Sequence, residues 1–94
     1  MKEKTIEQKL VTATKTMNGL CWKFVSPGIT GVPDRIILLP GGKIGFIELK
    51  APGRQPRPIQ IKRITQIRKL GIPVYVIDHP DRIYPILHQI ANQP

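Results

Sequence analysis

Residues 31–53 read GVPDRIILLPGGKIGFIELKAPG, and they set Asp34, Glu48 and Lys50 among Ile, Leu and Phe. The segments DRIILL and KIGFIELK flank Pro40-Gly41-Gly42, and this turn signal between two apolar runs predicts a β-hairpin. Side chains alternate faces along a strand, so Glu48 and Lys50 share one face with Ile44 and Phe46. If residues 40–42 form a three-residue turn, Leu39 pairs with Lys43, Leu38 with Ile44, Ile36 with Phe46 and Asp34 with Glu48. A two-residue turn at Gly41 and Gly42 slips the register by one and sends the two carboxylates to opposite faces. The three-residue form is common and a Gly is available for its left-handed position. Two carboxylates directly opposite each other repel unless something positive lies between them, and the candidates are a metal ion or Lys50.

The composition makes those acids conspicuous. Fifteen Lys and Arg stand against six Asp and Glu, for a net charge of +9 and a pI near 10.2. That balance suits a polyanionic partner, most often nucleic acid. A basic amphipathic membrane binder fits less well, because no long segment joins a Lys/Arg face to an aromatic-rich apolar face. No apolar run reaches the roughly 18 residues of a membrane span, and the charged MKEKTIEQK has no signal-peptide core, so a cytosolic setting is expected. The single cysteine, Cys21, rules out an internal disulfide, and His79 and His88 do not stand at zinc-ligand spacing with it. Cys21 reads as a small buried apolar residue. A length of 94 residues with 40% hydrophobic content predicts one folded domain with a modest core, for which pairing with a second copy would be unsurprising.

Around the hairpin the punctuation predicts the remaining elements. Ile6, Leu10, Ala13 and Met17 recur at the helical period over about residues 3–18, and Asn18-Gly19 ends the pattern. LCWKFVSPG reads as a strand ended by Pro27 and Gly28. APGRQPRP reads as a loop, with Pro58 as the first residue of a helix that runs to Leu70 and closes at Gly71. IPVYVID reads as a buried strand, and HPDRIYPILHQIANQ as a helix whose start Pro85 leaves open. The expected fold is mixed α/β, ordered helix, three strands, helix, strand, helix. Trp22, Phe24 and Tyr75 sit within apolar runs and are expected in the core; His79 and His88 read as cap or surface residues.

GVPD, the hairpin, IELKAPG and the glutamine of PIQIKRI resemble the PD-(D/E)xK nuclease superfamily, and more closely its VRR-NUC (virus-type replication-repair nuclease) branch. The resemblance runs from the helix carrying Glu7 through IPVYVID, and it implies a restriction-endonuclease-like core. It implies that Asp34 and Glu48 bind a divalent metal, Mg²⁺ or Mn²⁺, that Lys50 orients or activates the attacking water, and that Gln60 belongs to the site. It suggests Glu7 as a further acidic member. Where members of the family often carry a serine-containing segment before the glutamine, this chain has RQPRP, so loop contacts do not carry over. Stand-alone members resemble Holliday-junction resolvases in size, which implies a homodimer acting on branched DNA.

The chemistry of phosphodiester hydrolysis asks for the same residue types. It needs a nucleophilic hydroxide near neutral pH and relief of the charge building on the phosphate, and hard carboxylate oxygens hold the cations that supply both. Ile61, Ile64, Ile67 and Leu70 step around the second helix through roughly 180°, with Gln60 near the middle of that arc, so Gln60 is expected on the buried face with polar partners. Between Leu49 and Ile77 lie seven cations and no acid. Among them, Arg54 and Arg57 occupy a Pro/Gly-stiffened loop leaving the Glu-x-Lys strand and are candidates for phosphate contacts, with Lys62 and Arg63 behind them on the helix. The reading is a metal-dependent DNA endonuclease selective for DNA shape. A non-catalytic DNA-binding subunit that keeps the fold is the alternative; a sequence-specific restriction enzyme is disfavoured, since no extra recognition region is present. The dimer surface is expected among the aliphatics of the C-terminal segment, such as Ile83, Ile86 and Ile90.

Overall fold

The computed structural model describes all 94 residues. Helix α1 (Glu3–Thr16) leads into strands β1 (Leu20–Lys23), β2 (Arg35–Leu39) and β3 (Lys43–Leu49), then helix α2 (Pro58–Lys69), strand β4 (Val74–Ile77), a 3₁₀ turn (Pro80–Arg82) and helix α3 (Ile83–Ala91). The expected element order is the observed one, with the 3₁₀ turn added. The four strands form one sheet in sequence order, antiparallel from β1 to β3, with β4 parallel to β3. A parallel return needs a crossover, and α2 supplies it on one sheet face.

The opposite face carries the core. Ile37 and Leu39 of β2, Ile47 and Leu49 of β3, and Ile77 of β4 meet Ile6 and Leu10 of α1 and Ile83, Ile86, Leu87 and Ile90 of α3. Each large aliphatic buried there contributes about 1.5–3 kcal/mol of transfer free energy. Thr14 is fully buried on α1, and its hydroxyl is satisfied by donating to the Leu10 carbonyl at 2.8 Å. Asn18, at φ +60°, turns the chain out of the helix through the left-handed region, as the sequence anticipates. Gly45 lets α3 lie close on β3, since a Cβ there would fall 2.6 Å from Ile90 Cδ1.

Three expectations need correcting, and the open question of Pro85 closes. Ile83, Ile86 and Ile90 are buried in the core and not available as a dimer surface, because α3 is covered by both α1 and β3. Pro85 fits inside α3 because it falls in the first turn, where backbone N–H groups have no helical acceptor to lose. On α2 only Gln60 and Ile64 are fully buried, whereas Ile61 is half exposed and Leu70 is 80% exposed. Trp22, expected in the core, is 57% exposed, because it lies on the face whose one helix packs on β4 and leaves β1 open. No helix is long and apolar enough to cross a membrane.

Candidate active site

The hairpin adopts the three-residue turn. Leu39 pairs with Lys43, Ile36 with Phe46 and Arg35 with Ile47, and Gly41 and Gly42 take φ of +84° and +73°. Continued one step, this register sets Asp34 opposite Glu48. The ladder does extend that far on the β1 side, where the Phe24 N–H donates to the Asp34 carbonyl at 2.8 Å. The Asp34 carboxylate is fixed by accepting the Leu49 N–H at Oδ2, 2.8 Å away.

Glu48 is only 1% exposed, on the sheet face that α2 covers. Its Oε2 accepts from Gln60 Nε2 at 2.6 Å and lies 3.3 Å from Lys50 Nζ. Its Oε1 is buried and meets no donor. Burial pushes the Glu48 carboxyl up to about 7, the Asp34 charge pushes the same way, and Lys50 pulls it down. A buried carboxylate oxygen in this setting is stable only if the group is protonated or a cation or water completes its contacts.

Gln60 explains how a polar residue can occupy the buried side of α2. Its Oε1 accepts the Arg57 N–H at 2.8 Å, while its Nε2 donates to Glu48, so one amide both closes the start of the helix and fixes the carboxylate. Asp34, Glu48, Lys50 and Gln60, singled out from the sequence, therefore come together at the end of β3. The loop that follows brings Arg54 and Arg57 to a cleft of about 280 Å³ shared with Lys50 and Glu3. Lys62 is exposed on α2. Arg63 is committed elsewhere, donating to the Thr30 carbonyl at 2.8 Å and to Gln66 Oε1 at 3.1 Å.

Glu7, anticipated as a further metal ligand, accepts from Arg35 Nε at 2.9 Å. Arg35 points to the core side of β2 and reaches α1 there. Glu7 nonetheless lines the cleft that holds Asp34, together with Glu3, and Glu3 also reaches the cleft that holds Lys50. The Glu3 carboxyl is pushed up by burial and by Asp34, and pulled down by Lys50. Glu3 and Glu7 stand four residues apart on one helical face, so the sequence offered a signal for Glu3 but no means of ranking the two. Phe24 was likewise missed as part of the site. It packs edge-on against Phe46 with ring centroids 5.0 Å apart, forming an apolar wall beside Asp34. The largest cavity, between α1 and α3, holds neither Asp34 nor Glu48.

An acid at the entry to the second strand, a Glu-x-Lys at the end of the third and a glutamine on the following helix, gathered at one end of a mixed sheet, are the arrangement that the sequence resemblance to the PD-(D/E)xK nucleases implies. Comparison with known proteins carries the assignment further. No family model matches the chain. A protein named "Putative nuclease p44", from Acyrthosiphon pisum secondary endosymbiont phage 1, is 46% identical over 81 residues, which span 86% of this chain and 87% of that protein. A solved structure described as a VRR_NUC domain matches with a TM-score of 0.85 at 26% identity, covering 92% of this chain and 94% of its own. The chain belongs to the VRR-NUC family and is a nuclease of that type.

Proposed function

We propose that the chain is a divalent-metal-dependent DNA endonuclease of the bacterial cytoplasm, active as a homodimer on branched DNA. The observation that carries the metal requirement is Glu48 Oε1, buried without a donor beside the Asp34 carboxylate. The residues fit Mg²⁺ or Mn²⁺. No cluster of three His, Cys, Asp or Glu side chains is present, and Mg²⁺ is commonly held by one or two carboxylates, the rest of its shell coming from waters and substrate phosphate. Asp34 and Glu48 would hold the ion, which when bound supplies a water of lowered pKa and neutralises charge on the phosphate.

The chain's own groups do the rest. The Leu49 N–H and the Gln60 amide keep the two carboxylates in place, so that little reorganisation is needed when substrate arrives. Lys50 Nζ, beside Glu48 Oε2, can hold the attacking water and lend positive charge to the phosphate as it becomes pentavalent. Arg54 and Arg57 line the adjoining cleft, where guanidinium groups suit the phosphates flanking the cut.

A single chain has one such site, and symmetric cutting of two strands needs two, which a closed two-fold pair supplies. With α3 buried, the apolar surface for that pairing is the open part of the sheet. Leu20, Trp22 and Ile44 are exposed there on one face, beside Ile36 and Leu38. A second copy is the occupant we assign to it, since the same patch on both partners is what an isologous contact requires. The test combines labelled linear, flapped and four-way DNA, with and without Mg²⁺, with light scattering of the wild type and Trp22→Glu. Mg²⁺-dependent cleavage that favours the four-way substrate, by a dimer that Trp22→Glu splits, is the expected result. DNA binding without cleavage would leave a non-catalytic subunit, and a monomer that cuts all three equally would leave a simple nicking enzyme.

A further inference from the structure

A second basic cavity lies beyond the loop that leaves the site. It has a volume of about 290 Å³, and its lining includes Arg54, Arg68 and Arg82 with a single carboxylate, Asp78. The three arginines come from different elements: Arg54 from the loop after β3, Arg68 from the last turn of α2, and Arg82 from the 3₁₀ turn after β4. Such convergence is not the pattern of a solvated helix face, which strings its charges along one element.

The guanidinium groups are also free to take a ligand. Arg54 and Arg82 make no side-chain hydrogen bond or ion pair within the chain, and Asp78 forms no salt bridge to any of the three. Arg68 is oriented by Nε and Nη2, which both donate to the Val74 carbonyl at 3.0 and 2.7 Å, and its Nη1 makes no such bond. Thr65 and Gln55 add polar groups to the wall. Three cations facing one another repel until an anion enters, and a guanidinium presents a planar fork that matches phosphate oxygens.

Arg54 ties this cavity to the site. It lines the cleft that contains Lys50 and Arg57 and also the cavity that contains Arg68 and Arg82. Its loop is stiffened by Pro52, Pro56 and Pro58 and by the Arg54 N–H donating to the Ala51 carbonyl at 3.0 Å. The cations Lys50, Arg57, Arg54, Arg68 and Arg82 therefore form one track from the carboxylates to the β4 edge of the sheet.

We propose that the Arg54, Arg68 and Arg82 cavity is a phosphate-binding subsite that holds a phosphate group of the nucleic-acid strand beyond the one being cut, an inference that rests on the nuclease reading above. The phosphate is either an internal diester of a continuing strand or the terminal phosphate of a strand end, and both present the same oxygens to the arginines.

The experiment measures DNA binding by fluorescence anisotropy without metal, for the wild type, Arg82→Ala and Asp78→Asn, with melting curves to confirm that each variant folds. The probes are duplexes of graded length with and without a 5′ phosphate, and a four-way junction. Arg82→Ala should weaken binding of the longest duplex about tenfold, the loss of one charge-assisted contact, and lower the salt slope by about 0.9. Asp78→Asn should tighten binding, because the one carboxylate in the cavity is gone. Duplexes too short to reach from the site should bind all three proteins equally. A length threshold independent of the 5′ phosphate identifies an internal diester, and a dependence on the 5′ phosphate identifies a strand end; either supports the subsite. Wild-type binding with affinity and slope unmoved in both variants would overturn the subsite alone, whereas a wild type that binds neither the duplexes nor a four-way junction would overturn the DNA-endonuclease reading and the subsite with it.

Discussion

The two faces of the sheet are built to different ends. On one, α1 and α3 enclose Ile37, Leu39, Ile47, Leu49 and Ile77 in a continuous aliphatic layer, and the polar group of Thr14 is satisfied within its own helix. On the other, α2 buries Gln60 over Glu48, leaves Glu48 Oε1 without a donor, and leaves Leu20 and Trp22 exposed beyond its reach. Strand β3 contributes to both faces: Ile47 and Leu49 point to the aliphatic layer, and Phe46 and Glu48 to the face that carries the candidate site. Because side chains alternate, one seven-residue strand can anchor the fold with half its residues and give up stability at the site with the rest. The lesson is a division of labour: substitutions on the aliphatic face should change whether the chain folds, and those on the other face what it does.

The largest expected effect breaks function and leaves the fold. Glu48→Ala and Asp34→Ala should each lower Mg²⁺-dependent cleavage by about 10³-fold or more, since each removes a group proposed to hold the ion. DNA binding should be retained or strengthened as negative charge leaves the phosphate path. Lys50→Ala should lower turnover far more than metal affinity. Cleavage rates beside melting curves provide the check, and full activity in Glu48→Ala would end the site assignment.

The converse pair acts on stability. Leu87→Ala, in the aliphatic layer, should cost about 2–5 kcal/mol by the lost burial and the cavity left behind. Trp22→Ser, on the open face, should change monomer stability by no more than about 0.5 kcal/mol. Urea unfolding of both variants tests the contrast, and equal losses would erase the distinction between the faces.

The same contrast governs what could be read from sequence. The hairpin, its register and the meeting of Asp34 with Glu48 and Lys50 were legible because a period of two and a Pro-Gly-Gly turn leave two registers, of which one brings the acids together. The burial of Gln60 was legible from the helical arc, although Ile61 and Leu70 on the same arc proved exposed, since how far a helix face is covered depends on the sheet beneath it. The fate of Ile83, Ile86 and Ile90 was not legible, because an apolar stripe reads the same whether it meets a second copy or the chain's own α1. Nor was the partner of Glu7, since Arg35 is adjacent to Asp34 in sequence but points to the opposite face.

A smaller effect follows from the buried carboxylate. Glu48 titrates near 7 in the folded chain against an ordinary value of 4.5. Between these values the folded state holds more protons than the unfolded one, so its stability is full below about 4.5 and is lost as pH rises through about 7. Metal-free wild type should therefore lose melting temperature relative to Glu48→Gln as pH is raised from about 5 to about 8. Mg²⁺ at the higher pH should restore wild type and leave Glu48→Gln unmoved. A difference between the two proteins that stays flat with pH would remove the carboxylate from this account.

The smallest effect separates the faces by charge alone. Arg54 and Arg57 lie beside Lys50 at the end of the sheet where the carboxylates meet, whereas Lys9 and Lys15 are exposed on α1, which packs on the aliphatic face. If charge anywhere on a chain of +9 served equally, removing any of the four would weaken DNA binding alike. Phosphate contacts behave differently, because each releases counterions, and its loss lowers the salt slope on duplex DNA by about 0.9. Arg54→Ala and Arg57→Ala should each show that drop, equally for every sequence tested, while Lys9→Ala and Lys15→Ala keep the wild-type slope. Anisotropy titrations across a range of salt concentrations measure it directly: equal slopes in all four variants would mean that the DNA reads only net charge, and a drop confined to the lysines would put the DNA on the aliphatic side, against everything the carboxylates imply.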